Sequence, residues 1–186
     1  PQNFYLYSDD IAYNGTNPGA GMVFGGQYTS GGQYTTFAGI HAIKENSNDN
    51  QYGGALIFGV RPDGAATPWE KLRITSSGKI GVGGAPSAWE AATTSNVLQL
   101  GTACIFNYNN DYFHVGQNFY WDGSNYKYVA NDPATRLLQN NGEFTFLGAA
   151  SGSADANITW AERLRIDNNG NIMTSGNINV SRSSNA

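Results

Sequence analysis

The sequence predicts an all-β fold, and three observations carry that prediction. Helical periodicity is hard to find in its 186 residues, and the one helical candidate, Ser87 to Thr93, is short. Apolar residues instead alternate in short runs, broken by Gly, Asn and Ser at roughly 8–12-residue intervals, as in chains of many short strands. A strand–turn–strand segment also occurs twice, 92 residues apart.

In Lys71-Leu72-Arg73-Ile74-Thr75, strand alternation puts Leu72 and Ile74 on one face and Lys71, Arg73 and Thr75 on the other. Asn177-Ile178-Asn179-Val180 alternates in the same way. Phe119-Tyr120-Trp121 and Tyr126-Lys127-Tyr128-Val129 flank Asp122-Gly123-Ser124-Asn125, which reads as a hairpin with a four-residue loop. Residues 70–80 are EKLRITSSGKI and residues 162–172 are ERLRIDNNGNI. Glu70, Leu72, Arg73, Ile74, Gly78 and Ile80 recur as Glu162, Leu164, Arg165, Ile166, Gly170 and Ile172. Each copy reads as a strand, a turn with positive φ at its Gly, and a second strand. Leu138 to Phe144 (LQNNGEF) is a weaker echo.

Composition narrows the function. Charged residues are 13% of the chain, about half the usual ~25%. Gly contributes 24 residues and Asn 22, while Leu, Ile, Val and Phe together make only 19%. Aromatics at 13% and a net charge of −4 argue against disorder. The chain is therefore folded, with a thin aliphatic core that aromatic rings or partner chains must complete. An acidic balance with no basic block argues against nucleic-acid partners. No run approaches 18 apolar residues, so no membrane insertion is expected. A single Cys104 excludes an intrachain disulfide, and no Cys/His cluster has zinc spacing. The chain opens on Pro1 without Met, which reads as a fragment or a processed product, and no signal peptide is seen there.

No enzyme is expected. There is no G-x-S-x-G elbow, and the histidines are His41 and His114. Cys104 and His114 could meet in a hairpin, yet Cys104 beside Ile105 and Phe106 reads better as a small core residue. Paired carboxylates could hydrolyse glycans, with Asp9, Asp10, Asp111 and Asp122 as candidates. Asp122 is better explained by its turn, and Asp9-Asp10 by a loop. Gly81-Val82-Gly83-Gly84 is followed by Ala85-Pro86 rather than a helix, so it is a close-approach element and not a phosphate cradle. Asn46 to Gln51 offers oxygens but lacks cation-loop spacing, and is read as a polar loop. No cofactor and no metal are expected. Arg73 and Arg165 are expected to pair with Glu70 and Glu162. The sequons at Asn14, Asn157 and Asn179 bear only on a eukaryotic secretory pathway.

The aromatic stretch from Asn107 to Tyr128 is the candidate binding feature. Rings stack on apolar sugar faces while amides and carboxylates take hydroxyls, which singles out Tyr112, His114, Tyr120, Trp121 and Tyr126. The competing reading is that these rings build the β core. Alternation places Tyr120 on the face opposite Phe119 and Trp121, without saying which set lies inside.

ERLRIDNNGNI resembles the E-R-M-R-I-x-x-x-G-N-V-G-I-G-T element of bacteriophage tail-fibre and tailspike proteins. Residues 21–80 and 117–172 are similar to two tail-fibre units, and together cover about two thirds of the chain. The pattern departs at Gly81-Val82-Gly83-Gly84 and is lost at Met173-Thr174-Ser175-Gly176. The resemblance implies an elongated homotrimeric β-structured fibre on a virion. Its partners would be itself, other tail-fibre segments and bacterial cell-surface carbohydrate. Its units would be residues 1–84, 85–172 and a C-terminal strand or tail, 173–186. Such regions often precede an intramolecular chaperone that is cut off; the stretch Ser183–Ala186 would then end either a cleavage product or a cloned fragment. Three chains sharing one core would offset the low aliphatic content, and three weak sugar sites at fixed spacing would gain by multivalency. A glycan-degrading tailspike segment and a trimeric adhesive fibre on a bacterial surface are the alternatives.

Overall fold

Strands, turns and irregular connections make up the computed structural model, which describes residues 19–66, 69–91, 95–109 and 111–177; none of these residues is helical. The fold is all-β, as the alternation predicts. Asp9, Asp10, the sequons at Asn14 and Asn179, and all of Asn177–Val180 but Asn177 lie outside the described residues. The chain divides into one unit of Pro1–Ser87 with Val97–Gly101, and another of Ala88–Asn96 with Thr102–Ala186.

The first unit is an ordered meander. Its strands are β1 (Gly19–Gln27), β2 (Tyr34–Lys44), β3 (Gly54–Val60), β4 (Trp69–Ile74) and β5 (Ile80–Val82), with β6 (Ser95–Leu100) contributing its Val97–Leu100 part. Neighbours pair antiparallel from β1 to β5, and β6 joins β5 in parallel. Register aligns side chains across the sheet. One row runs Met22, Ile40, Phe58, Leu72, Val82, Leu100. The next runs Ala20, Ala42, Leu56, Ile74, Ile80, Leu98. Both rows lie on the same face, and neither contains a polar side chain. The opposite face is small and better covered, with Ala55, Ile57, Val97 and Gln99 buried. A Cβ on Gly81 would collide with the Gly84 carbonyl and the Pro86 ring, so the 84–86 segment folds tightly over it. The Gly81–Gly84 run is a close-approach element.

The second unit contains β7 (Ala103–Tyr108), β8 (Tyr112–Gln117), β11 (Ala134–Asn140), β12 (Glu143–Ala149), β13 (Ala161–Ile166) and β14 (Ile172–Thr174), all antiparallel. A separate two-stranded hairpin, β9 (Tyr120–Trp121) and β10 (Tyr126–Lys127), lies in the long β8–β11 connection. Its loop is the predicted 122–125: Asp122 Oδ1 accepts from the Ser124 and Asn125 amides at 2.8 and 2.7 Å. These bonds, and Lys127 at 3.6 Å, hold the Asp122 carboxyl below its ordinary range.

The repeat recurs in conformation. Thr75 N donates to Lys79 O and Gly78 N to Thr75 O; Asp167 N donates to Asn171 O and Gly170 N to Asp167 O. Gly78 and Gly170 have φ of 75° and 83° with open space at their Cβ positions, so backbone conformation alone selects glycine. Thr75 Oγ1 and Asp167 Oδ1 brace the two turns alike, accepting the amides of Lys79 and Asn171.

The helical candidate over Ser87–Thr93 is not borne out. Residues 85–91 are irregular, and residues 92–94 lie outside the described ones. Trp89 is buried among aromatic rings, and the Glu90 amide donates to Trp121 O at 2.8 Å, so tertiary contacts fix the segment instead of local helical bonds.

Candidate functional site

The sheet of the second unit has two unlike faces. On the inner face Cys104, Phe106, His114, Ala134 and Arg136 are buried. Connections packed over them bring Trp89, Phe119, Tyr120, Trp121, Tyr126 and Trp160 into one aromatic layer, with ring centroids 4.8–6.4 Å apart. Asn118, at φ 63°, pins the layer: its side chain contacts Ala130 N and O, Asp132 O and Pro133 O at 2.7–3.2 Å.

All five sequence-derived candidates fall in or beside this layer. Tyr112 is half-buried and parallel to His114. His114 is 1% exposed and stacks on Phe106 at 4.9 Å; burial, then the Arg136 charge, push its pKa down to about 3, so it is a neutral imidazole. Tyr120 is buried and donates to Asp155 Oδ1 at 2.7 Å. Burial first, and that bond second, push its hydroxyl up to about 12. Trp121 is half-buried and its Nε1 donates to Glu90 at 3.1 Å. Tyr126 is half-buried between His114 and Arg136.

The alternation expected across Phe119-Tyr120-Trp121 fails. Phe119 and Tyr120 are both buried, because β9 lies under the Asp155 segment and has no water-facing side at Tyr120. Cys104 is the expected core residue, 2% exposed, with burial raising its thiol to about 12. Register sets His114 opposite Phe106 and Cys104 opposite Gly116, and a neutral, buried thiol is no nucleophile. In the Asn46–Gln51 loop the Lys44 ammonium donates to Asn46 O, Asn46 Oδ1 and Asn48 O at 2.6–3.1 Å. Those oxygens already surround a cation from the chain itself.

An open cleft of about 360 Å³ lies at the tips of the β7–β8 and β11–β12 hairpins. Asn107, Asp111, Gln139, Asn140 and Glu143 supply amides and carboxylates, and Tyr112, Phe113 and Phe144 supply rings. The Asn140–Glu143 turn makes room for it, with Asn141 and Gly142 at φ 49° and 83°. Sequence reasoning singled out Tyr112 and weighed Asp111, but missed the β11–β12 side, whose only signal was the Leu138–Phe144 echo.

The outer face of the same sheet is largely apolar. Ile105, Val115, Leu137, Phe146 and Leu164 form one cross-strand row, and the apolar Phe113, Phe144, Ile166 and Ile172 share the next with Asn107 and Gln139. Six of these nine apolar residues, Ile105, Phe113, Val115, Phe144, Phe146 and Ile172, are each at least 37% exposed. Together they leave roughly 500 Å² of apolar side chain in water, toward the upper end of what a monomer's largest patch exposes.

Among the described residues no helix is long and apolar enough to cross a membrane. No protein-family model and no curated protein matches the chain. The chain is similar to the carboxy-terminal domain of the bacteriophage T5 L-shaped tail fibre solved with its intramolecular chaperone domain, at 13% identity and a TM-score of 0.46, over 96% of this chain and 60% of that one. A second structure of that carboxy-terminal domain matches at 13% identity and a TM-score of 0.46, over 97% of this chain and 88% of that one. The chain thus spans less than two thirds of the length of the first.

Proposed function

We propose that this chain is a structural, receptor-binding segment of a tail-fibre-type assembly, built from three copies of itself. The observation that carries the reading is the pair of apolar sheet faces, one in each unit. A side chain such as Phe146 contributes about 1.5–3 kcal/mol when fully buried, and at 41% exposed it gains only part of that. Rows that cross five or six strands without a charge need a complement as apolar as themselves, and another copy supplies it. The repeat resemblance points to the same assembly, to a virion tail location and to other fibre segments as neighbours.

The segment attaches and does not cut. The hairpin-tip cleft pairs the Tyr112 ring with amides and carboxylates, the chemistry that holds sugar rings and hydroxyls reversibly. Bacterial surface glycan is its ligand class, with Tyr112 the stacking ring. A bacterial glycan array tests this. Reversible binding weakened at least tenfold by Tyr112→Ala, with no new reducing ends released, is the expected result. Release of reducing ends would make it a glycan-degrading segment, and binding unchanged in Tyr112→Ala would move the site elsewhere.

A further inference from the structure

Arg136 is a cation on the inner face of the second unit, 7% exposed, and four carboxylates of that unit are engaged elsewhere. Glu143 pairs with Arg165, Asp122 with Lys127, Asp155 accepts from Tyr120 and Glu90 from Trp121. No described residue forms an ion pair with Arg136. Its guanidinium is sandwiched instead, 4.3 Å from the Tyr126 ring centre and 4.6 Å from that of Trp160. Ring faces stabilise the charge through its flat sides, and Tyr126 also takes a side-chain hydrogen bond from it, which leaves part of its edge unsatisfied. Arg136 Nε and Nη1 are buried without a hydrogen-bond partner, as are Trp160 Nε1 and both nitrogens of His114. All three side chains border the Tyr126 ring.

The chemistry of these atoms is one-sided. Arg136 Nε, Arg136 Nη1, Trp160 Nε1 and one nitrogen of neutral His114 are donors; only the other His114 nitrogen accepts. Water would bring as many new donors as acceptors and would leave the charge standing. An uncompensated buried charge is among the costliest features a fold can carry. An anion brings acceptor capacity and the missing charge together. A single guanidinium balances one negative charge, so the ion that fits it is monovalent.

We propose that the aromatic layer of the second unit binds one small monovalent anion of the chloride class at the edge of Arg136. The ion is a buried structural ligand, separate from the surface cleft. The test uses the intact chain at constant ionic strength and pH, exchanging sodium gluconate for sodium chloride. The melting temperature is expected to rise with chloride and then saturate, as for a ligand bound only by the folded state. Arg136→Met is expected to lose that dependence. Crystals grown in bromide are expected to show an anomalous peak within hydrogen-bonding distance of the guanidinium. Equal melting temperatures in the two salts, or water alone at that position in bromide crystals, would overturn the proposal. If Arg136→Met does not fold, the bromide map of the unmodified chain decides alone.

Discussion

Glu70 and Arg73 form a two-pronged ion pair, Nε to Oε1 at 2.9 Å and Nη2 to Oε2 at 2.6 Å, although three residues apart they would point to opposite faces of a regular strand. A β-bulge brings them together. Phe58 pairs with Leu72 and Gly59 with Glu70, leaving Lys71 as the extra residue. The second repeat does the same: Phe146 pairs with Leu164 and Leu147 with Glu162, so Arg163 bulges and Glu162 reaches Arg165 at 3.2 Å. The bulge keeps both charges on one face and Leu72 with Ile74, or Leu164 with Ile166, on the apolar one. Deleting Lys71, the extra residue, should leave Glu70 opposite Gly59 and on the Arg73 face, so the first unit should keep a native circular-dichroism melt; loss of that melt on the deletion would contradict the bulge account. Glu162→Ala, removing a half-exposed pair, should cost no more than about 1 kcal/mol in urea unfolding.

His114 makes the fold acid-sensitive. The folded chain holds it neutral with a pKa of about 3, whereas the unfolded chain titrates near 6.5. Its contribution is complete above pH 6.5 and is lost as pH falls toward 3, at up to about 1.4 kcal/mol per pH unit. Asp122 and Asp167, both held low by hydrogen bonds, add their loss only below their ordinary value of 3.8. His114→Phe, which preserves stacking on Phe106, should flatten the slope of stability between pH 6.5 and 4.5.

Cys104 should be silent to thiol reagents in the native state. It is buried, its Sγ lies 3.8 Å from Phe119 O, and burial raises its pKa to about 12. Reaction with a disulfide reagent at pH 8 should wait for unfolding; stoichiometric labelling of native protein would contradict the packing described.

Asn118 holds the aromatic layer through four side-chain hydrogen bonds. Asn118→Ala should destabilise the chain by about 3 kcal/mol, by lost buried bonds and by the strain of its positive φ. Asn118→Gly, free of the strain, should fall between the two in urea unfolding.

The parts of this fold that are local were legible. The repeat revealed two strand–turn–strand elements, the Asp122 turn was readable from its residue types, and Cys104 from its apolar neighbours. What was not legible depends on distant partners. Tyr120 is buried because Asp155, 35 residues later, accepts its hydroxyl. Trp89 leaves a helical-looking stretch because its ring has a place beside Phe106. Arg136 drew no notice, although a lone Arg in Ala134-Thr135-Arg136-Leu137-Leu138 on the same strand phase as buried Ala134 was the available signal. The bulges were hidden too, but a Glu and an Arg three apart in an otherwise regular strand, found twice, was their mark.

The proposed joining of chain copies through apolar sheet faces is tested most directly by solution mass, from light scattering on a size-exclusion column. About 60 kDa, three times 19.9 kDa, is expected for the unmodified chain, and about 20 kDa with retained β-structure for Phe146→Asp. A mass of 20 kDa for the unmodified chain at micromolar concentration would contradict it, leaving those rows exposed on a monomer.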